Sequence, residues 1–395
     1  MSQKQVIRFT AKRQRKAKNS TKVLVAEALA FRWNEGLMFC LTKRSFLRFT
    51  LVVALAASAT VLLSSAGKMQ INADALSMFA PLPDAMSSPD NPATDTRVKL
   101  GRMLYYDPRL SASQKISCNT CHPLDAYGAE STSVSTGFHG QKGTRNAPTV
   151  YNAAGHFVQF WDGRVTTIEE QAKGPITNPV EMALPSNSAA VQVLKSMPEY
   201  AELFQQAFPG SQEPITYDNM AKAIGAFERG LVTPSRWDKF LKGDQSALSD
   251  AEKSGFNTFA AIGCQWCHNG PYVGGGVFQK LGVMKPWPDQ HDLGRYQVTK
   301  DEVDKMVFKV PSLRNIQKTG PYFHDGSVAS LDEAIRRMGA YQRGVDLTNS
   351  QIKSIESWMN ALTGPIPANY IKAPELPKST PQTPAPAGEQ QPVVR

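Results

Sequence analysis

The chain has 395 residues, 41% of them apolar, which is enough for a packed core and excludes a disordered or fibrous class. Its net charge of +10 is confined to the leader: residues 1–66 hold 12 Lys/Arg against 2 Asp/Glu, and the remainder is balanced at 32 of each sign. No excess of cations is left to neutralise phosphates, so the basic pI carries no case for a nucleic-acid partner.

Residues 1–37 are basic and unpatterned. From Met38 the chain reads as a secretory signal peptide: Lys43, Arg44 and Arg48, then an apolar run over 49–63, then the small residues Ser64, Ser65 and Ala66. The run is shorter than the roughly 20 residues of a membrane span. A cleaved leader around 38–66 and a periplasmic location are therefore expected, with an uncleaved inner-membrane anchor as the alternative.

Leu100, Met103 and Leu104 have helical spacing and lead to Cys118-Asn119-Thr120-Cys121-His122. Residues 137–187 are rich in Gly, Pro, Asn and Thr, and so long an irregular stretch is usually functional. Met220, Ile224, Phe227 and Leu231 then form one apolar helix stripe. Ser249 and Glu252 read as a capping box, opening a helix with Phe256 and Phe259 on one face that ends near Gly263. The second motif follows at once, Cys264-Gln265-Trp266-Cys267-His268, and 270–296 reads as loop. Ser330 and Glu333 predict another capping box, on a helix with Leu331, Ile335 and Met338 along one side. Thr348 and Gln351 cap the last helix, with Ile352, Ile355, Met359 and Leu362 facing inward, and Gly364-Pro365 ends it. Beyond lies a Pro/Ala/Gln-rich segment expected to be a disordered tail.

Two copies of Cys-x-x-Cys-His read as c-type haem attachment sites. The thiols bond to the haem edge, and the adjacent histidine is placed to bind iron. A redox dithiol explains neither histidine, and a zinc site needs a second pair of ligands nearby. Four of the five cysteines are used in this way and Cys40 lies in the leader, so no pair remains for a structural disulfide. The expected protein is mainly α, with two cytochrome c-like helical domains, each around one covalently attached haem, and long irregular loops. The expected division is 1–66 leader, 74–235 N-terminal haem domain, 236–364 C-terminal haem domain and 365–395 tail. The second axial ligand decides what each haem does: methionine raises its potential, whereas an open position admits an oxidant. Spacing alone does not choose among the six histidines and 13 methionines.

Several segments carry a more specific signal. Residues 145–152 (RNAPTVYN), 159–164 (QFWDGR), 170–182 (EQAKGPITNPVEM), 310–315 (VPSLRN) and 320–326 (GPYFHDG), followed by Met338-Gly339, resemble bacterial dihaem cytochrome c peroxidase. With both haem motifs, the resemblance runs in order over about residues 95–364. It implies that Cys118, Cys121 and His122 hold the low-potential haem that reacts with peroxide, with His139 on its other face at rest. His156 competes for that place but lies outside the glycine-flanked loop. Cys264, Cys267 and His268 would hold the high-potential haem, with Met338 as its sixth ligand.

By the same resemblance, reduction of the Met338 haem releases His139. Glu181 then moves a proton between the peroxide oxygens, Gln171 orients the peroxide, and Trp161 lies on the electron route between haems. A calcium ion between the domains would be bound by the Asn146 side chain and the carbonyls of Thr319 and Pro321. The implied activity is reduction of hydrogen peroxide to water with electrons from a small c-type cytochrome or cupredoxin, in a homodimer. The related dihaem enzyme that matures tryptophan tryptophylquinone, and a plain dihaem electron carrier, are the alternatives. The first has tyrosine as the axial ligand of its C-terminal haem and lacks the displaceable histidine, so Met338 and His139 argue against it, and the second has no use for Glu181 and Gln171.

Overall fold

The computed structural model describes residues 69–388; the leader and residues 389–395 lie outside the described residues. The signal peptide therefore lies outside them too, and no described helix is long and apolar enough to cross a membrane.

The fold is mainly helical. The principal helices are α1 (Asp95–Tyr106), α2 (Ile168–Thr177), α3 (Asn187–Lys195), α4 (Pro198–Ala207), α5 (Tyr217–Glu228), α6 (Arg236–Leu241), α7 (Asp250–Ile262), α8 (Leu331–Arg337) and α9 (Asn349–Asn360). Side-chain caps start most of them: Thr94 accepts from Arg97 N–H on α1, and Thr216 from Asn219 N–H on α5. The expected Ser249–Glu252 and Thr348–Gln351 boxes are complete, and α7 stops at Gly263 with φ 86°. The Ser330–Glu333 box is only half made. Ser330 accepts from Glu333 N–H, but the Glu333 carboxylate turns away to Arg337 at 2.8 Å.

Two cores form by the same device. The helix before each motif crosses the helix that closes that half, α1 on α5 and α7 on α9. Each crossing is close because a glycine sits in it. A Cβ on Gly101 would lie 1.8 Å from the Ala223 carbonyl oxygen, and one on Gly255 2.0 Å from that of Ser354. Leu100, Leu104, Met220, Ile224 and Phe227 fill the first core. The second is aromatic, built on Trp237, Phe256, Phe259 and Trp358.

The structure departs from the expected organisation in four places. Part of 137–187 is helical, since Thr167 caps α2. Residues β1 (Phe278–Lys280) and β2 (Val307–Lys309) pair antiparallel across a 26-residue connection, too short and too far apart to show as alternation. Residues 74–82 pack on the C-terminal core: Phe79 meets Trp237, Phe256 and Trp358 edge-on, and Leu82 N–H bonds Asp238 at 2.7 Å. The expected disordered tail, finally, is an ordered strap as far as residue 388. Tyr370 stacks on Phe227, Ile371 is 8% exposed, the Pro377 carbonyl accepts from Arg109 at 2.7 Å, and Ala387 N–H reaches the Ala112 carbonyl at 2.8 Å. A few anchors in an otherwise polar composition suffice, because proline presets extended backbone and leaves less entropy to lose.

Candidate haem cavity

Both motifs open onto a cavity of about 870 Å³, at the upper end of ligand-sized sites. Cys118–Cys121 forms a single helical turn after α1, with Ser117 and Thr120 closing a capping box. Cys264–Trp266 forms a 3-10 turn directly after Gly263. Cys118, Cys121, His122, Cys264, Cys267 and His268 all line the cavity, and no disulfide joins the four cysteines.

The surroundings discriminate among the chemistries open to those motifs. Burial pushes the Cys118 thiol up, and the Cys264 thiol up to about 12. That is opposite to the lowered value of a reactive redox dithiol. Among the described residues no three His, Cys, Asp or Glu side chains converge as a zinc site would require. Both motif histidines are held neutral by burial, His268 down at about 4. His122 Nδ1 lies 3.2 Å from the Gly128 carbonyl, so this nitrogen carries the proton and Nε2 is free to act as a donor atom. His156 Nε2, Glu228 Oε2 and His324 Nδ1 are buried cavity-wall atoms without a hydrogen-bond partner. An apolar space with four thiols, two neutral imidazoles and a few orphaned polar atoms fits a pair of haems.

Glu181, Gln171, Trp161 and Met338 also line the cavity. Gln171 projects from α2. Glu181 follows that helix after the turn 178–180, and its charge is felt at Cys121. Burial raises the Glu181 carboxyl above its ordinary value, against the pull of Arg164 and Asn178. Trp161 Nε1 donates to the Asn146 carbonyl at 3.0 Å, and its own carbonyl accepts from Lys309 N–H at 2.8 Å. Met338 lies where α8 gives way to a wider π turn, Met338–Arg343, a local irregularity often found at functional sites.

His139 is not brought into the cavity. It is exposed, at φ 55°, with its ring 3.8 Å from that of Phe138. Its loop is nonetheless tied to Glu181, because Phe138 N–H donates to the Glu181 carbonyl at 2.9 Å and Gln141 Nε2 to that of Pro179 at 3.1 Å. Asn146, Thr319 and Pro321 share the cavity wall. The buried Asn146 amide donates from Nδ2 to the Thr132 and Ser133 carbonyls, each 3.2 Å away.

The sequence reading did not single out Arg164, whose carboxylate-facing role at Glu181 was within reach because it ends the quoted QFWDGR segment. Glu228 had no such signal. Burial and the neighbouring Glu169 raise its carboxyl to about 8, against Arg229, beside the first motif.

Comparison with known proteins agrees with this geometry. A model described as di-haem cytochrome c peroxidase matches residues 95–246. The cytochrome c551 peroxidase of Nitrosomonas europaea is 46% identical over 295 residues, 74% of this chain and 87% of that protein. That of Pseudomonas aeruginosa is 42% identical over 320 residues, 79% of this chain and 91% of the relative. Among solved structures, a MauG-like protein associated with microbial copper homeostasis superposes with a TM-score of 0.66 at 29% identity, covering 74% of this chain and 97% of its own. Sequence identity sustained across both motifs, and a fold that turns both toward one cavity, lead to the same statement: this chain belongs to the di-haem cytochrome c peroxidase family.

Proposed function

We propose that this protein reduces hydrogen peroxide to water in the periplasm, drawing electrons one at a time from a small c-type cytochrome or cupredoxin. The observation that carries the reading is the presence of Glu181 and Gln171 in the lining of the same cavity as Cys118, Cys121 and His122. A plain electron carrier has no use for a half-buried carboxylate with a raised pKa at that place.

Cys118 and Cys121, and Cys264 and Cys267, would attach the two haems; His122 and His268 would each supply an imidazole nitrogen, and Met338 a thioether sulfur, to hold their irons. Bound haem supplies the redox-active iron of each half. The Glu181 carboxylate takes a proton from one peroxide oxygen and returns it to the other, so that the second leaves as water. With two electrons and two protons the products are two waters. The Gln171 amide donates a hydrogen bond that orients the peroxide, and Trp161 lies between the motifs as the electron route. His139 would be the displaceable group toward the first haem. Calcium would be held by the Asn146 amide oxygen and the carbonyls of Thr319 and Pro321. The leader at 38–66 supports export, and the family resemblance supports a homodimer.

The quinone-maturing alternative fits less well. Tyr341, the nearest tyrosine to Met338 in the chain, packs against Trp287 at 5.2 Å and is absent from the cavity wall that Met338 lines. The deciding experiment is peroxide-dependent oxidation of reduced cytochrome c by haem-loaded protein, with and without one-electron pre-reduction. Turnover that rises on pre-reduction and collapses in Glu181→Ala supports both the activity and the His139 switch. Turnover indifferent to pre-reduction removes the switch, and no turnover from protein carrying both haems overturns the peroxidase reading.

A further inference from the structure

Lys309 ends β2, and its side chain runs into the interior, leaving the residue only 6% exposed. Its Nζ lies 3.3 Å from His156 Nδ1 and 3.3 Å from the Val158 carbonyl, both neutral acceptors. No ion pair to Lys309 occurs among the described residues. The acid whose charge reaches it, Asp162, is already held by Arg145 at 2.6 Å and Arg164 at 3.1 Å. A buried ammonium without an anion is destabilising. Burial accordingly pulls Lys309 down to about 8.

The geometry also fixes the state of His156. An ammonium only donates, so His156 Nδ1 must accept, and the proton of the neutral ring sits on Nε2. That Nε2–H is buried without a partner. The ring cannot swing away easily: Tyr272 lies 5.5 Å off, and a Cβ on Gly275 would come within 2.5 Å of His156 Cδ2. Lys309 and His156 both line the cavity and so offer it two adjacent donors, one cationic, to neither of which a carboxylate is bonded among the described residues. The turn at 274–275 that abuts His156 also abuts the second motif, since a Cβ on Gly274 would be 3.3 Å from His268 Nδ1.

We propose that Lys309 and His156 together form the seat for a carboxylate of the haem attached at Cys264 and Cys267. This rests on the di-haem reading above, because a haem brings anionic carboxylates into the cavity. Lys309 would form the charged bond and His156 Nε2–H the second one. The bond also fixes the electrostatics of that haem, because a cation beside the carboxylate favours the reduced iron.

The test uses full-length protein carrying both haems, verified by haem content. Spectroelectrochemical titration of Lys309→Met should show one haem reduced less readily, with an equilibrium constant lower by roughly tenfold, equivalent to ~59 mV for one electron. The other haem should be unmoved, and Lys309→Arg should titrate close to the parent. Resonance Raman should show a shifted carboxylate bending band in Lys309→Met and His156→Gln. Unchanged potentials and an unchanged band in two-haem Lys309→Met would overturn the proposal. Should that variant fail to accumulate, the band in His156→Gln decides: moved supports the seat, unmoved overturns it. Parent protein that takes up no second haem would instead overturn the reading beneath.

Discussion

Glu181 shows how much chemistry one residue can draw from its surroundings. Burial raises its carboxyl, while Arg164 and Asn178 hold that rise in check. The form that takes a proton from peroxide is the carboxylate, so turnover should fall as pH drops through the raised value. The acidic limb of the pH profile then lies above 4.5. Glu181→Gln should lower peroxide turnover by roughly 10²–10⁴-fold with haem content unchanged, measured by steady-state donor oxidation. Arg164→Met removes a force that lowers the pKa, so its acidic limb should move to higher pH. At this scale the sequence was legible wherever the chemistry is written contiguously, as in the two Cys-x-x-Cys-His motifs and in QFWDGR. Lys309 and His156 were not, because 153 positions separate them and neither has a marker of its own.

The elements were legible where local rules decide them. Complete boxes at Ser249 and Thr348 start helices on their own sequence, whereas Glu333 is drawn off by Arg337 and the β1–β2 pair depends on a contact no local pattern records. The two glycine crossings were also unreadable, since a glycine inside a helix looks like a weakness until its neighbour is known. Gly255→Ala should destabilise the haem-loaded protein by about 1–3 kcal/mol in urea unfolding, as α7 is pushed off the Ser354 carbonyl. The buried Asp238–Arg314 pair joins α6 to the segment after β2, with contacts of 2.6 and 2.8 Å and side chains 4% and 0% exposed. Burial raises the Asp238 carboxyl, but Arg314 and the Leu82 and Ser235 N–H donors outweigh it and leave it lowered. Asp238→Asn strands the guanidinium and should cost about 3–5 kcal/mol at pH 7. A lowered folded pKa contributes stability above the unfolded value of about 3.9 and loses it as pH falls through the folded one. The deficit of Asp238→Asn should therefore shrink in acid, a trend that urea midpoints between pH 7 and pH 3 would check.

At the scale of the molecule, the helical class and the pairing of two haem-centred halves were legible, because each half repeats the order helix, motif, closing helix. The ends were misread, since composition weighs a segment's average and packing is decided by single anchors such as Phe79, Tyr370 and Ile371. Removal of residues 365–395 strips Tyr370 and Ile371 from the first core and should cost about 3–6 kcal/mol, seen as a lower thermal midpoint and faster proteolysis near α5. The path of the chain has a consequence for engineering. Within the described residues it starts on the second core with Phe79, crosses to build the first, returns to complete the second, and comes back to the first as the strap. Neither half is a contiguous cassette, so no single cut yields a module that carries its own ends. A transplanted or separately expressed half needs two fragments, whereas an intact chain nicked once between the halves should stay assembled with its haems in place.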